Sequence, residues 1–177
     1  KQAIATAGLV PVGAPSFSTD GKRVAFVANA PGHPNEVFAG DLTAPRRVTT
    51  LNPQLAGIQL GAQEVVTWKA KDGWVIEGVL VKPVGFRAGV RYPLVLQPHG
   101  GPEAADPNGW NGSYSRWGQM LAGAGYLTLY PNYRGSTGFD ARYRDAVKDD
   151  GWGGREQDDI RTGIEALFER GMAWLLE

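Results

Sequence analysis

The chain has 177 residues and a mass of 19.0 kDa, enough for one full domain or parts of two. Its 42% hydrophobic and 20% charged residues exclude a disordered chain and a membrane-spanning one. Lys and Arg number 18, as do Asp and Glu, so we expect neither nucleic acid nor a membrane as partner. Cysteine is absent and His33 and His99 are the only histidines, which excludes cysteine-based sites, and we expect no metal site.

The first residue is Lys1, and no charged-then-apolar leader follows it, so no signal peptide is predicted. We interpret this start as a cut, which leaves the location open. The lack of cysteine fits the cytoplasm, and a cytoplasmic location is our expectation.

Residues 1–55 predict β structure. The Asp20-Gly21 turn signal precedes an apolar strand at 24–28, and further strands are expected at 36–41 and 46–50. Three short strands cannot form an independent core, and this pattern is typical of one blade of a β-propeller.

Residues 56–90 predict a hinge followed by a hairpin, with strands at 64–69 and 74–82 around the turn Lys71-Asp72-Gly73. Beyond residue 90 the pattern changes to strands that alternate with helices, which predicts a parallel or mixed α/β sheet in residues 91–177. Strands are expected at 92–97 and 126–130, and helices at 114–124 and 155–170.

The stretch Gln97-Pro98-His99-Gly100-Gly101-Pro102 directly follows an apolar strand. Two successive glycines let the backbone turn sharply and come close to a ligand. Free backbone N–H groups at such a turn can stabilise an oxyanion. A strand-exit turn without a ligand explains the residues equally well.

The stretch from Tyr130 to Phe139 leaves the next buried strand. A structural interpretation, in which Arg134 pairs with a carboxylate and Tyr133 packs, is favoured for this loop alone. A substrate-side role for Tyr133 and Arg134 gains weight because both loops leave strand ends, where α/β proteins bind ligands.

Five motifs occur in a characteristic order: Pro15 to Arg23, Thr67 to Gly73, His99 to Pro102, Asn132 to Gly138, and Gly151 to Ile160. In this order they resemble the prolyl oligopeptidase family of serine peptidases, in its acylaminoacyl-peptidase and dipeptidyl-peptidase-like branch. The resemblance covers roughly residues 10 to 171. It implies the last blade of a β-propeller followed by the N-terminal half of an α/β-hydrolase domain.

The resemblance also implies an activity. Such enzymes hydrolyse short peptides with a Ser-His-Asp triad and need no cofactor. Carried over to this sequence, Gly101 is the first candidate oxyanion-hole donor and Gly100 the second. His99 stands where some relatives have a tyrosine hydroxyl, and a structural role for His99 is equally compatible.

The nucleophile of this family sits in a Gly-x-Ser-x-Gly elbow, with the acid and the histidine later in the chain. None of the five serines has that context; Ser136, in Arg-Gly-Ser-Thr-Gly, is one glycine out of register. Asp158 and Asp159 are interpreted as charges at a helix N-terminus. We therefore expect a fragment that ends before the triad and is inactive alone.

A truncated sheet would expose apolar surface and strand edges, so we expect self-association or a complementary C-terminal chain. The segment 172–177 departs from the family pattern: Trp174, Leu175 and Leu176 either extend the preceding helix or come from a sequence junction or an aberrant reading frame. Two other functions are kept open. One is an esterase of the same fold, and the other is a non-catalytic binding module derived from a propeller.

Overall fold

The computed structural model describes residues 3–101, 103–113, 115–150 and 153–174, without the side chains of residues 149–150. Pro102, Tyr114 and the Gly151-Trp152 part of the fifth motif therefore lie outside the described residues, as do Leu175 and Leu176. The chain divides into two compact units. The first contains residues 1–59 and 108–112, and the second contains residues 60–107 and 113–177.

The first unit is a four-stranded antiparallel sheet in which each strand pairs with the next. Its strands are β1 (Val10–Phe17), β2 (Arg23–Ala30), β3 (His33–Asp41) and β4 (Ala44–Arg47). Alternate residues of the two central strands form its small core, in which the rings of Phe26 and Phe38 stack with centroids 5.7 Å apart. A short 3₁₀ helix follows at Pro53–Gly57.

The prediction of three strands in this unit is wrong, because β1 is a fourth. Nearly all its residues are exposed, and Pro11, Gly13 and Pro15 remove the alternation that marks a half-buried strand. Its pairing with β2 also shifts register between Val12 and Ser16. β1 is therefore identified by its pairing with β2 and not by a pattern in its own sequence.

Glu36 is fully buried in this unit and ties the chain after β4 to β3. Its carboxylate accepts hydrogen bonds from Arg47 at 2.7 Å and Leu51 N–H at 3.0 Å, and from the Thr49 hydroxyl. Burial raises the pKa of Glu36, but the hydrogen bonds from Thr49 and Leu51 and the charge on Arg47 outweigh it and hold the pKa below its usual value. His33 begins β3 and is half-buried.

The second unit is built on a five-stranded mixed sheet. Its strands are β5 (Gln63–Lys69), β6 (Val75–Val81), β7 (Tyr92–Leu96), β8 (Leu127–Asn132) and β9 (Ala173–Trp174). They lie in the order β5-β6-β8-β7-β9. The β5–β6 and β6–β8 pairs are antiparallel, whereas β7 pairs with β8 and β9 in parallel. This is the mixed α/β sheet that alternating strands and helices predict.

Three helices accompany this sheet: α1 (Gly118–Gly123), α2 (Ala141–Asp150) and α3 (Arg155–Glu169). The predicted helix at 114–124 is shorter than expected, because its described part begins only after Trp117. α3 matches its prediction within a residue and packs on β5. A Cβ added at Gly163 would lie 2.8 Å from the Trp68 indole, so the glycine lets helix and sheet come close together.

Trp174 does not extend α3, which was one of the two alternatives left open for it. The helix ends at Glu169, and Gly171 adopts a φ of 64°, which turns the chain back. Ala173 and Trp174 then pair in parallel with Tyr92 and Pro93 of β7. Within the described ranges, none of the helices combines the length and apolar character needed to cross a bilayer.

Candidate active site

Two loops leave the sheet at the same edge. β7 and β8 are parallel neighbours, so the chain after Leu96 and the chain after Asn132 both emerge at the carboxyl edge. We call residues 97–106 the glycine loop and residues 133–138 the arginine loop. Every candidate site residue from the sequence lies in one of them.

Gly100 and Gly101 are exposed in the glycine loop. Gly101 adopts a φ of 131°, and an added Cβ would lie 3.2 Å from the Cβ of Ala104. Gly100 has no atom within 4 Å of an added Cβ. Among hydrogen bonds between described residues, neither glycine N–H is a donor.

His99 is 4% exposed, and both of its ring nitrogens face atoms of this unit. Nε2 lies 2.8 Å from Ser136 Oγ, and Nδ1 lies 3.1 Å from the carbonyl oxygen of Gly100. The ring also stacks on Tyr133 with centroids 4.6 Å apart. These contacts give His99 a packing role under the loop.

Tyr133 is buried beneath the glycine loop, and its hydroxyl donates to the carbonyl oxygen of His99 at 2.6 Å. Burial raises the pKa of this phenol, and the nearby charges of Glu156 and Asp106 add to the shift. The hydroxyl therefore stays protonated and acts as a hydrogen-bond donor to the backbone.

Arg134 is 2% exposed and is held by two carboxylates. Its backbone N–H and Nε donate to Asp159 Oδ2 at 3.0 and 2.8 Å, and Nη2 donates to Asp159 Oδ1 at 2.5 Å. The outer side of the guanidinium binds Asp72 at 2.7 and 3.1 Å. The hydrogen bonds that Arg134 donates to Asp159 raise the pKa of Arg134, and those that it donates to Asp72 lower the pKa of Asp72.

The surroundings of Arg134 match the pairing interpretation. The cavity it lines with Lys71, Asp72, Arg155 and Asp158 is about 110 Å³, smaller than the roughly 300 Å³ at which ligand pockets begin. Asp159, interpreted from sequence as a helix-terminal charge, is instead fully buried as the arginine's main partner.

Asp106 is a buried residue of the glycine loop that the sequence did not single out. Its Oδ1 binds Arg116 Nε at 2.7 Å, whereas its Oδ2 has no partner among the described residues. Burial raises the pKa of Asp106, although the charges of Arg116 and His99 oppose the shift. An aspartate before a proline reads as an ordinary turn, so nothing in the sequence signals this burial.

Ser136 and His99 form a close serine–histidine pair, but the geometry does not suit a nucleophile. Ser136 is completely buried, and its hydroxyl donates to the Tyr133 carbonyl at 2.6 Å. A nucleophilic hydroxyl must reach the substrate and pass its proton to a base. In the described part of the chain, no cluster of His, Asp and Glu is arranged to hold a metal ion either.

The chain matches the model of the prolyl oligopeptidase family over residues 113–174. This segment contains the arginine loop, α2 and α3. The glycine loop, residues 97–106, lies before the matched segment.

Individual relatives agree with this match. The chain is 28% identical to an uncharacterised peptidase, YuxL, of Bacillus subtilis, over 88% of this chain and 23% of the relative. It is 34% identical to a probable dipeptidyl-peptidase 5 of Aspergillus terreus, over 62% of this chain and 15% of that protein. The acylaminoacyl peptidase of Pyrococcus horikoshii superposes on 95% of the chain with a TM-score of 0.77 and 24% identity.

The matched part of each of these proteins is small. The chain spans 26% of the Pyrococcus horikoshii structure and less of the two curated relatives. The structural likeness, at 24% identity, establishes the shared fold.

Proposed function

We propose that this chain, whose residues 113–174 match the prolyl oligopeptidase family, is part of a serine peptidase that hydrolyses short peptides through an acyl-enzyme intermediate. Within that enzyme, the glycine loop supplies a backbone N–H of the oxyanion hole. Gly101 is the first candidate donor and Gly100 the second. The observation that carries the proposal is a pair of exposed glycines in the loop after a parallel strand, neither of which donates its N–H to another described residue.

An oxyanion hole needs donors that are already aimed before the reaction begins. Charge develops on the carbonyl oxygen of the substrate in the transition state, and fixed N–H dipoles stabilise it without reorganising. Gly101 suits this role because its φ of 131° is a conformation that other residues adopt only with strain. His99 lies behind the same loop and supports it.

The nucleophile is proposed to lie on a segment other than these 177 residues. The five serines of the chain lack a Gly-x-Ser-x-Gly context, and Ser136 is buried with its hydroxyl donated to a carbonyl. The family mechanism also needs an acid and a histidine. The chain alone is therefore inert, and the assembled peptidase, meaning this chain together with the segment that carries the triad, is active.

The domain boundaries are part of the same proposal. Residues 1–55 are a propeller blade, residues 56–90 are the hinge and first hairpin, and residues 91–177 are the N-terminal part of the hydrolase domain. A propeller blade is typically a four-stranded antiparallel sheet, as β1–β4 are. The same blade favours a peptidase over an esterase of this fold.

A fluorophosphonate probe, which reacts with activated serines, tests the proposal. The purified chain should keep its mass of 19.0 kDa after exposure to the probe, whereas the assembled peptidase should gain the label. Light scattering on the same samples reports self-association or binding of a complementary chain. Ser136→Ala is the matched variant: an adduct on the chain that this substitution abolishes would contradict the proposal.

Substrate class is tested on an unlabelled sample of the same assembled peptidase, because the probe occupies the nucleophilic serine. Chromogenic dipeptide and acylated amino-acid amides should be hydrolysed faster than simple esters. The reverse preference would favour the esterase alternative.

A further inference from the structure

Hydrogen bonds join described residues of the glycine loop to the arginine loop and the end of β8 at three points. At its start, the His99 ring faces Ser136, and at its middle Thr137 N–H donates to the carbonyl oxygen of Ala104 at 3.0 Å. At its end, Asp106 N–H donates to Asn132 Oδ1 at 2.8 Å, and Asn132 Nδ2 donates back to the Asp106 carbonyl at 3.0 Å. Three anchor points in eight residues restrain the loop strongly, although Gly100 and Gly101 are exposed.

The Tyr133 hydroxyl acts on the peptide unit that joins His99 to Gly100. It donates to the His99 carbonyl oxygen at 2.6 Å. A trans peptide unit is planar, so its C=O and its N–H point in opposite directions. Anchoring the carbonyl of His99 on the buried phenol therefore aims the N–H of Gly100 away from the protein interior.

Ser136 fixes the ring that supports the next peptide unit. Its own proton is donated to the Tyr133 carbonyl at 2.6 Å, so the 2.8 Å contact with His99 requires Nε2–H as donor. With the proton on Nε2, Nδ1 of the neutral ring carries a lone pair, so its 3.1 Å approach to the Gly100 carbonyl oxygen is a packing contact with the peptide unit that carries the Gly101 N–H. His99 cannot rotate away without breaking the Ser136 contact.

These bonds close a cycle. His99 Nε2–H donates to Ser136, Ser136 donates to the Tyr133 carbonyl, and the Tyr133 hydroxyl donates to the His99 carbonyl. All three residues are buried. In low dielectric such a closed set of hydrogen bonds stabilises one arrangement over its alternatives.

We infer that Tyr133 and Ser136 are positioning residues that hold the glycine loop in the conformation in which its Gly100 and Gly101 N–H groups can bind an oxyanion. The inference rests on the oxyanion role proposed above. It replaces the substrate-side role expected for Tyr133 with an action through the backbone of His99.

Nuclear magnetic resonance of the ¹⁵N-labelled chain tests the positioning directly. The backbone amides of Gly100 and Gly101 should be as rigid as those of the sheet, with order parameters of about 0.85. Tyr133→Phe keeps the ring that stacks on His99 and removes only the hydroxyl. It should lower both order parameters below about 0.6, while Tyr126→Phe, outside the two loops, should leave them unchanged.

The imidazole of His99 gives a second signal that general loss of stability would not produce. In the wild-type chain, Nε2–H should appear as a slowly exchanging, hydrogen-bonded proton. Ser136→Ala should abolish that proton signal while amide resonances in the first unit and in α3 stay in place. Ser115→Ala, at an exposed serine, is the control.

The outcomes separate this inference from the proposed function. Rigid glycine amides in Tyr133→Phe, together with an unchanged Nε2–H signal in Ser136→Ala, overturn the positioning role even if the assembled peptidase takes the fluorophosphonate label. Mobile glycines in the Tyr133 variant and loss of the Nε2–H signal in the Ser136 variant support the positioning role. They do so even if no label is found, in which case the proposed function is the part that fails.

Discussion

Arg134 and Asp159 form a buried ion pair in which one carboxylate accepts three hydrogen bonds from a single residue, two from its side chain and one from its backbone N–H. The two residues join the end of β8 to the first turns of α3. Asp72, in the β5–β6 turn, binds the same guanidinium from its other side. One arginine thus ties a hairpin, a strand exit and a helix together.

Replacing Asp159 with Asn should lower the free energy of unfolding by about 3 kcal/mol, because it leaves the Arg134 charge buried without its main partner. Urea denaturation followed by tryptophan fluorescence measures the change. Asp145→Asn, which breaks an exposed pair with Arg144 and Lys148, is the control and should leave the midpoint unchanged. Equal midpoints for both variants would show that the buried pair contributes nothing.

Replacing Gly163 with Ala should destabilise the second unit, although alanine favours helices. The added Cβ would meet the Trp68 indole at 2.8 Å and Leu129 at 3.3 Å. Overpacking of this kind costs about 1–3 kcal/mol, against about 1 kcal/mol gained in helix propensity. A thermal melt should therefore show a lower Tm. Gly123→Ala, with open space around its Cβ, should not lower it.

The stability of the chain should depend on pH through Asp106. Its pKa in the folded state is raised above 3.8 by burial, so the folded state binds more protons than the unfolded state in the interval above 3.8. The contribution of Asp106 to the free energy of unfolding is therefore fully present below pH 3.8. It is lost as the pH rises through the folded-state pKa. Asp72, with a lowered pKa, acts in the opposite sense and loses stability as the pH falls below 3.8.

Asp106→Asn separates the two effects, because asparagine keeps an oxygen for Arg116 and cannot ionise. Denaturation measured at several pH values should show that the free energy of unfolding of the variant increases relative to that of the wild type as the pH rises above 3.8. A constant difference at every pH would mean that Asp106 ionises alike in both states.

Gly101→Ala should slow fluorophosphonate labelling of the assembled peptidase by about 10²–10³-fold, the usual cost of losing one oxyanion donor. Alanine is strained at a φ of 131° and would move the N–H from its position. Gly100→Ala keeps its N–H and meets no atom within 4 Å, so its labelling rate should stay near that of the wild type. If Gly101→Ala labels as fast as the wild type, the donor lies elsewhere.

The elements that could be predicted from sequence are those whose own residues carry the signal. α3 shows apolar residues on one face and acidic residues in its first turn, and its bounds agree with the expectation within a residue. β1 carries no such signal, and its position depends on the register of β2. The sequence left the conformation of Trp174 open, because its pairing with β7 involves residues about 80 positions away in sequence.

In the candidate site, too, only the features that depend on local sequence patterns could be predicted. The sequence placed Gly100, Gly101 and His99 at a strand exit, because glycine pairs and apolar strands are local patterns. It could not show that Asp159 is the partner of Arg134, or that Asp106 is buried. Those facts depend on contacts across 25 residues in one case and on the packing of a whole loop in the other.

The contact between Trp68 and α3 can form only some time after Trp68 has been synthesised. The indole N–H donates to the carbonyl oxygen of Asp159, which lies 91 residues further along the chain. At a translation rate of about 5–20 residues per second, Asp159 is synthesised on the order of 5–20 s after Trp68. During that interval the β5–β6 hairpin leaves the ribosome with an uncovered indole, a surface that chaperones bind and that promotes aggregation. Slow codons placed between the hairpin and α3 should therefore lower the soluble yield more than the same codons placed after α3.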